Sequence, residues 1–474
     1  MSNARQEAVV SDIRHVSPVE GDTSSWTLQE RMAAHGVPGV SIAVIEDGRI
    51  DWAEGFGHID SLGGKAVDSH TLFQAASMSK PVAALALMKA VEKGTFDLDV
   101  DINTYLKSWK VPYNELTAAS PVTLRKIMSH TAGLTVWGFG GYPRGAPAPS
   151  LPELLSGEGV ANSPPVFVDV LPGSMERYSG GGTTIAQLAM MEAFGESYTD
   201  IMAREILEPL GMTNSTFAQP LPDSMSSNAA AGHDFTGALI EGRWHVFPEQ
   251  AAAGLWTTAG DYAKFLIGLQ SAYLGRPGAL ISESTAKEMA TKPPGASDFA
   301  LGPKVIGKGR AVRFQHGGAN QGYRCGSNAF TDGSRGVVVL TNSDNGSALA
   351  EEIIMAVARH YDWPDYVRAP RKVRSLDRQE IHRYAGVYDL DPGAPFPEMS
   401  IVVEGESLIY ELGTIPRRPL LCETPTRFFS AESAYDTEFR LDAAGNAVEL
   451  SVLDDEKVVL HAVRRVTRDQ QGTP

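Results

Sequence analysis

The hydrophobic and polar positions along the chain change period several times. After a polar opening stretch, residues 25 to 36 (SWTLQERMAAHG) carry helical spacing. GVSIAVIEDGRIDWAEGFG then reads as two strands joined at Asp47-Gly48, a pair suited to a tight hairpin turn. Residues 77 to 93, SMSKPVAALALMKAVEK, are apolar on every side of a helix, with Pro81 in the first turn and Gly94 just past the end. A helix of that kind is buried, so its N-terminus lies inside the protein, where backbone N–H groups favour developing negative charge. Helical patterns recur at 183 to 195, 199 to 208 and 260 to 270. RFQHGGANQGYRCGSNAFTDGSRGVVVLTNSD then reads as strands with turns at Gly317-Gly318 and Asp332-Gly333, closed by a helix at 350 to 361.

Two stretches break the pattern. Residues 134 to 165 are rich in Gly and Pro, with Trp137, Phe139 and Tyr142 interleaved, and a loop that long in a compact domain reads as a lid or substrate wall. Residues 363 to 378, DWPDYVRAPRKVRSLD, have the prolines and basic run of a linker. Beyond it, short β-rich runs alternate with turn residues, as in a small antiparallel sandwich or barrel. The expected organisation is an arm (1–24), a main domain (25–362), the linker (363–378), a β-domain (379–466) and a tail (467–474).

Composition narrows the function classes. A chain of 474 residues is long enough for two or three domains, and 43% hydrophobic with 21% charged residues is a globular balance. The net charge of −16 comes without a basic cluster, which argues against a nucleic-acid partner. Cys325 and Cys422 fall in different expected domains, so no structural disulfide is expected. The first thirty residues lack the apolar run of a signal peptide, and no apolar run of eighteen follows, so no membrane span is expected. The expected location is cytoplasmic for the chain as it stands, and periplasmic or secreted if a leader was removed.

An SxxK motif places a hydroxyl and an amine on one helical face, where a neutral lysine takes the serine proton. The chain has two: Ser77-Met78-Ser79-Lys80 and Ser284-Thr285-Ala286-Lys287. The second lies in the charged ISESTAKEMATK, where a lysine stays solvated and protonated. The first heads the buried helix, where desolvation lowers the lysine pKa toward the neutral form. Spacing alone leaves Ser77 readable either as a nucleophile or as a helix N-cap. There is no HExxH, no zinc spacing, no GxSxG elbow and no phosphate-binding glycine loop, so neither a metal nor a cofactor is implied.

Further motifs, LRKIMSHTAGL, PGSMERYSGGG, ILEPLGMTNSTF, AAAGLWTTAGDYAKFL and FQHGGANQGY, follow in an order that resembles the serine β-lactamase and penicillin-binding-protein superfamily, in its class C β-lactamase, esterase and D-aminopeptidase branch. The resemblance covers roughly residues 25 to 362. It implies an α+β fold, an antiparallel sheet flanked by helices plus an all-α cluster, with the site between them. It implies Ser77 as acylated nucleophile, Lys80 as base, Tyr178 as a proton-sharing phenol of lowered pKa, and the Ser77 and Ala319 N–H groups as oxyanion hole. His316-Gly317-Gly318 stands where relatives have KTG, HTG or HGG, with Trp137, Tyr142 and Arg324 as further substrate contacts. His130, in SHTAGL, is read as structural. Gly180 departs from the family's asparagine or serine, and His316 from its lysine; both changes remove recognition elements for β-lactams and peptides. The expected activity is therefore a carboxylesterase acting on a small acyl substrate. β-Lactamase, D-amino-acid peptidase or amidase, acyl transferase or peptide cyclase, and a non-turnover penicillin-binding sensor are the alternatives. RYAGVYDL and the segment after it resemble a lipocalin-like β-domain.

Overall fold

The computed structural model describes residues 2–465 except 392, 393, 395, 414 and 455. The chain divides into two compact units, one of residues up to 10 with 28–365, the other of 11–27 with the segment from 366 onward. The expected tail, 467–474, lies outside the described residues. Among the described residues, no helix is long and apolar enough to cross a membrane.

In the first unit a six-stranded antiparallel sheet has the order β2-β1-β6-β5-β4-β3, with β1 Gly39–Glu46, β2 Arg49–Gly57, β3 Lys304–Ile306, β4 Arg313–Asn320, β5 Tyr323–Phe330 and β6 Arg335–Thr341. Strand β1 is buried on both faces, which explains an apolar run interrupted only by Ser41 up to Glu46. Asp47 and Gly48 both take positive φ, as the tight hairpin between β1 and β2 requires. The helices that pack around this sheet and the site include α1 Leu28–His35, α2 Ser79–Glu92, α3 Gly180–Phe194, α4 Ala259–Tyr273 and α5 Gly346–His360. Helix α4 packs on β1, β2 and β6, while α5 packs on β5 and β6 and on α1. The α1–α5 contact is pinned by Arg31, whose guanidinium donates to both carboxylate oxygens of buried Glu352. Helix α2 is buried almost throughout, packed between α3, the turn Gln250–Ala253 and the helix Glu283–Met289.

One expectation is corrected here. Gly317-Gly318 is not a turn: β4 runs through both glycines, and the chain reverses at Gln321-Gly322. The pair reads as a turn because glycine is the usual turn residue; the physical reason for it is close approach. A Cβ on Gly318 would stand 2.3 Å from the Ala75 carbonyl oxygen and 2.8 Å from Cys325 Sγ.

In the second unit, eight consecutive antiparallel strands, from Gly386–Leu390 to Lys457–Arg464, close into a barrel through the Tyr388–Arg464 pairing. Tyr388, Met399, Leu408, Phe428, Phe439 and Leu450 are buried in its core cluster, as suits a barrel of eight strands. Residues 11–27 belong to this unit, through the Val19–Arg371 bridge and the Ser17 hydroxyl on the Ser433 carbonyl. Arg371 is paired with Glu423 and Asp436 and lies 4.0 Å over the Phe429 ring.

Candidate active site

The turn that presents Ser77 is strained. Ala76 holds φ at +49°, a left-handed conformation that non-glycine residues rarely adopt, and a 3₁₀ turn at Ala76–Met78 leads into α2. From Thr71 to Lys80 every residue is buried except Ser77, which is partly exposed. Ser79 is tied inward: its hydroxyl donates to the Ala76 carbonyl at 2.6 Å and accepts the Leu255 N–H at 3.0 Å. Ser77 is thus the hydroxyl that the helix offers to a ligand.

Lys80 lies one turn on, 5% exposed, with Nζ 3.1 Å from Ser77 Oγ and 2.8 Å from the Ala252 carbonyl. Burial pulls its pKa down to about 7, so a large share of the amine is neutral near neutral pH. The second SxxK site is the opposite case. Lys287 is exposed and paired with Glu283, which raises its pKa, and the Ser284 hydroxyl is hydrogen-bonded with the Ser282 hydroxyl.

Tyr178 closes the group from the start of α3. The Ser77 hydroxyl is a polar neighbour of its phenol, and the centroid of its ring lies 4.9 Å from Lys80 Nζ. Its acidity departs from expectation. Burial raises the phenol pKa and outweighs the opposing pull of the Ser77 hydroxyl. Tyr178 is therefore a protonated donor in the resting site.

His130, left aside as structural in the sequence, grips this tyrosine from three sides. It sits at φ +56°, its carbonyl accepts the Arg177 N–H at 2.7 Å, its Nδ1 accepts the Ser179 N–H at 3.1 Å, and its ring lies 4.2 Å from the Tyr178 ring. Burial, then the Lys80 charge, pushes its pKa well below the usual histidine value, so it stays neutral. His130→Ala is expected to lower kcat by about 10- to 100-fold with little change in KM, since Tyr178 loses its support and the Ser179 N–H its acceptor. A parent-like kcat in a folded variant would show that Tyr178 is positioned without it.

On the opposite side, β4 carries the third motif. Past Gln315 the strand no longer pairs with β3, and Gly318 rests against Ala75 and Ala76, bringing Ala319 alongside the turn that holds Ser77. Asn320 fixes this approach by donating to Gln74 Oε1 at 2.7 Å and the Ala253 carbonyl at 3.1 Å. His316 is 5% exposed; Nδ1 bonds the Gly317 carbonyl at 2.6 Å, while Nε2 has no hydrogen-bond partner among the described residues. Burial and the Lys80 charge push its pKa down to about 3, so it is a neutral imidazole.

The remaining candidates separate. Trp137 is 71% exposed, with its ring 5.6 Å from Tyr178. Tyr142 is buried, its hydroxyl accepting the Asn162 N–H, and its strand pairs with His245–Val246. Arg324 is turned away into an ion pair with Asp344 at 2.7 Å and into the Asn320 and Tyr323 carbonyls. Among the described residues, no cluster of three or more His, Cys, Asp or Glu could hold a metal ion.

Glu249, which the sequence did not single out, lies behind the site. Its carbonyl caps the turn Gln250–Ala253, whose Ala252 oxygen holds Lys80, and both its carboxylate oxygens are buried without a hydrogen-bond partner among the described residues. Burial raises its pKa to about 7. The folded state thus holds more protons than the unfolded one between about pH 4.5 and 7, and stability falls as pH rises through that window. Glu249→Gln is expected to be more stable than the parent at pH 8.5 by about 3 kcal/mol, with the gain vanishing near pH 4.5. Denaturant unfolding at the two pH values checks this; an equal effect at both would contradict it.

The family described as Beta-lactamase matches residues 27–361. Penicillin-binding protein 4* of Bacillus subtilis (strain 168) is 24% identical over 470 residues, covering 91% of this chain and 96% of that protein. Among solved structures, the octameric penicillin-binding protein homologue from Pyrococcus abyssi is similar at a TM-score of 0.60 and 21% identity, covering 92% of this chain and 98% of that one. SurE, solved with D-Leu, is similar at a TM-score of 0.57 and 22% identity, covering 92% and 97%. With a matching family over most of its length and the corresponding mixed sheet-and-helix fold, the chain belongs to the beta-lactamase family, within the serine β-lactamase and penicillin-binding-protein superfamily.

Proposed function

We propose that the protein is a serine acyl hydrolase, a carboxylesterase of the penicillin-binding-protein-like type. Ser77 attacks the carbonyl and passes its proton to neutral Lys80. Tyr178 protonates the leaving group and regains its proton from the Lys80 ammonium, and water then releases the acid, its proton returning to Ser77 Oγ. The single observation that carries this reading is the desolvated Lys80 amine 3.1 Å from the one accessible hydroxyl of the helix. The N–H groups of Ser77 and Ala319 serve as the oxyanion hole.

The preference for esters rests on charge. His316 is neutral and Arg324 is spent on Asp344, so neither offers a free cation for the carboxylate of a penicillin or a peptide terminus. A D-amino-acid amidase is the second reading, favoured by the structural similarity to SurE, which was solved with D-Leu.

The test is a panel of nitrophenyl esters, D-alanyl amides and nitrocefin, with intact-mass detection of the acyl-enzyme. Ester turnover lost in Ser77→Ala and kept in Ser284→Ala supports the proposal. Turnover of the amides alone, of nitrocefin alone, or a stable nitrocefin adduct without turnover overturns the esterase reading in favour of an amidase, a β-lactamase or a sensor.

A further inference from the structure

The loop after Gly133 is fastened to the first turn of α3. Ser179 donates through Oγ to the Thr135 carbonyl at 2.7 Å and accepts the Gly182 N–H at 3.0 Å. The Gly180 N–H bonds the Trp137 carbonyl and the Gly181 N–H the Val136 carbonyl, both at 3.1 Å. Val136, a β-branched residue, is held at φ +63°, a strained conformation that persists because these bonds over-determine it.

The fastening explains a helix that begins with three glycines. A Cβ on Gly180 would stand 2.9 Å from Phe139 Cε2 and 3.2 Å from the Trp137 carbonyl oxygen; one on Gly181 would stand 2.8 Å from Val166 Cγ2. The Phe139 ring thus occupies the space a side chain at 180 would take. Beside it, Trp137 leaves most of its surface open and lies 5.6 Å from Tyr178, and the Phe299 ring lies 5.5 Å from the same tyrosine. The Ser179 hydroxyl and the Gly180 and Gly181 N–H groups already have partners within the loop. This side of the site therefore offers aromatic surface and few unspent donors.

Resting on the serine-hydrolase reading above, we propose that Phe139 and Trp137 form an aromatic wall that selects substrates with an aryl or alkyl group beside the scissile carbonyl. Such a group gains apolar burial against the wall, whereas an amide there leaves its own polar atoms without partners. The group sits on either the acyl or the alcohol side of the ester.

Two series of esters separate these sources: nitrophenyl esters from acetate to octanoate and benzoate, and acetates of alkyl and aryl alcohols followed by acid release. In at least one series kcat/KM should rise on the order of tenfold or more with apolar size. The rise should collapse in Phe139→Gln and Trp137→Ala and be retained in Phe139→Leu. Labelling of Ser77 by a small fluorophosphonate reports whether each variant keeps its folded site. Ester turnover without size preference in either series, or a preference that survives Phe139→Gln and Trp137→Ala, overturns the wall while leaving the hydrolase reading intact. Absence of all Ser77-dependent ester turnover would instead sink the hydrolase reading itself.

Discussion

Lys80→Met is expected to lower kcat/KM toward esters by about 10³-fold or more while leaving the protein folded and, near neutral pH, more stable than the parent. The activity loss follows from removing the amine that lies 3.1 Å from Ser77 Oγ. The stability gain follows from linkage. The Lys80 pKa is lowered to about 7 by burial, so between about pH 7 and 10.5 the unfolded chain binds the proton more readily than the folded one. Parent stability therefore rises with pH through that window, and the cost of burying the lysine is full below it, a few kcal/mol. Methionine carries no such cost, so its advantage should be largest at pH 6 and vanish near pH 10.5. The same pKa sets the rate profile. With the parent enzyme and an uncharged ester, kcat/KM should fall about tenfold per pH unit below 7, as the amine that must accept the Ser77 proton becomes charged. A profile flat down to pH 5 would mean that another group takes the proton. If Lys80→Met were active and less stable at every pH, the buried neutral amine would be the wrong description of the site.

The parts of this site that were legible in the sequence are those whose signal is local. A helix apolar on all sides announces burial, and burial decides both which SxxK serine matters and in which direction its lysine shifts; Lys80 and Lys287 differ in the structure as that argument requires. The antiparallel sheet and the all-β unit followed from period and turn residues, but sandwich and barrel share that period, and only the pairing of Tyr388 with Arg464 closes the barrel. What stayed hidden depends on contacts distant in sequence. The acidity of Tyr178 was expected to rise beside basic groups, and it falls because burial of the phenol outweighs its polar neighbour Ser77. His130 and Phe299 touch Tyr178 from segments 48 and more residues away, and Glu249 carries no motif at all. One local signal did point to the loop contact: Gly180-Gly181-Gly182 at a helix start costs about 1 kcal/mol per glycine relative to alanine, a cost that implies a backbone held close to something.

Gly318→Ala is expected to cost about 1–3 kcal/mol of stability and about 10²-fold or more in kcat, whereas Gly317→Ala leaves stability within about 0.5 kcal/mol. Both residues lie within β4 and neither needs a left-handed φ, so backbone freedom does not distinguish them. Space does. The methyl at 318 would lie 2.3 Å from the Ala75 carbonyl oxygen and 3.2 Å from Ala76 Cβ, and neither can retreat, because Ala75 accepts the Met78 N–H and its own N–H is held by the Leu255 carbonyl. The methyl at 317 meets only the Cys325 carbonyl oxygen at 3.5 Å. To admit the first methyl, β4 must move off the strained Ala76 turn, and Ala319 moves with it. The separation between the Ser77 and Ala319 N–H groups then grows, and the developing oxyanion loses a donor at the point where a bond of ordinary length matters most. Because the loss is in the transition state, kcat should fall with KM nearly unchanged, and the rate of Ser77 labelling by a fluorophosphonate, whose trapped oxygen uses the same donors, should fall in parallel. A Gly318→Ala enzyme with parent-like stability and kcat would show that β4 does not press on the nucleophile turn, and the assignment of Ala319 to the oxyanion hole would fall with it.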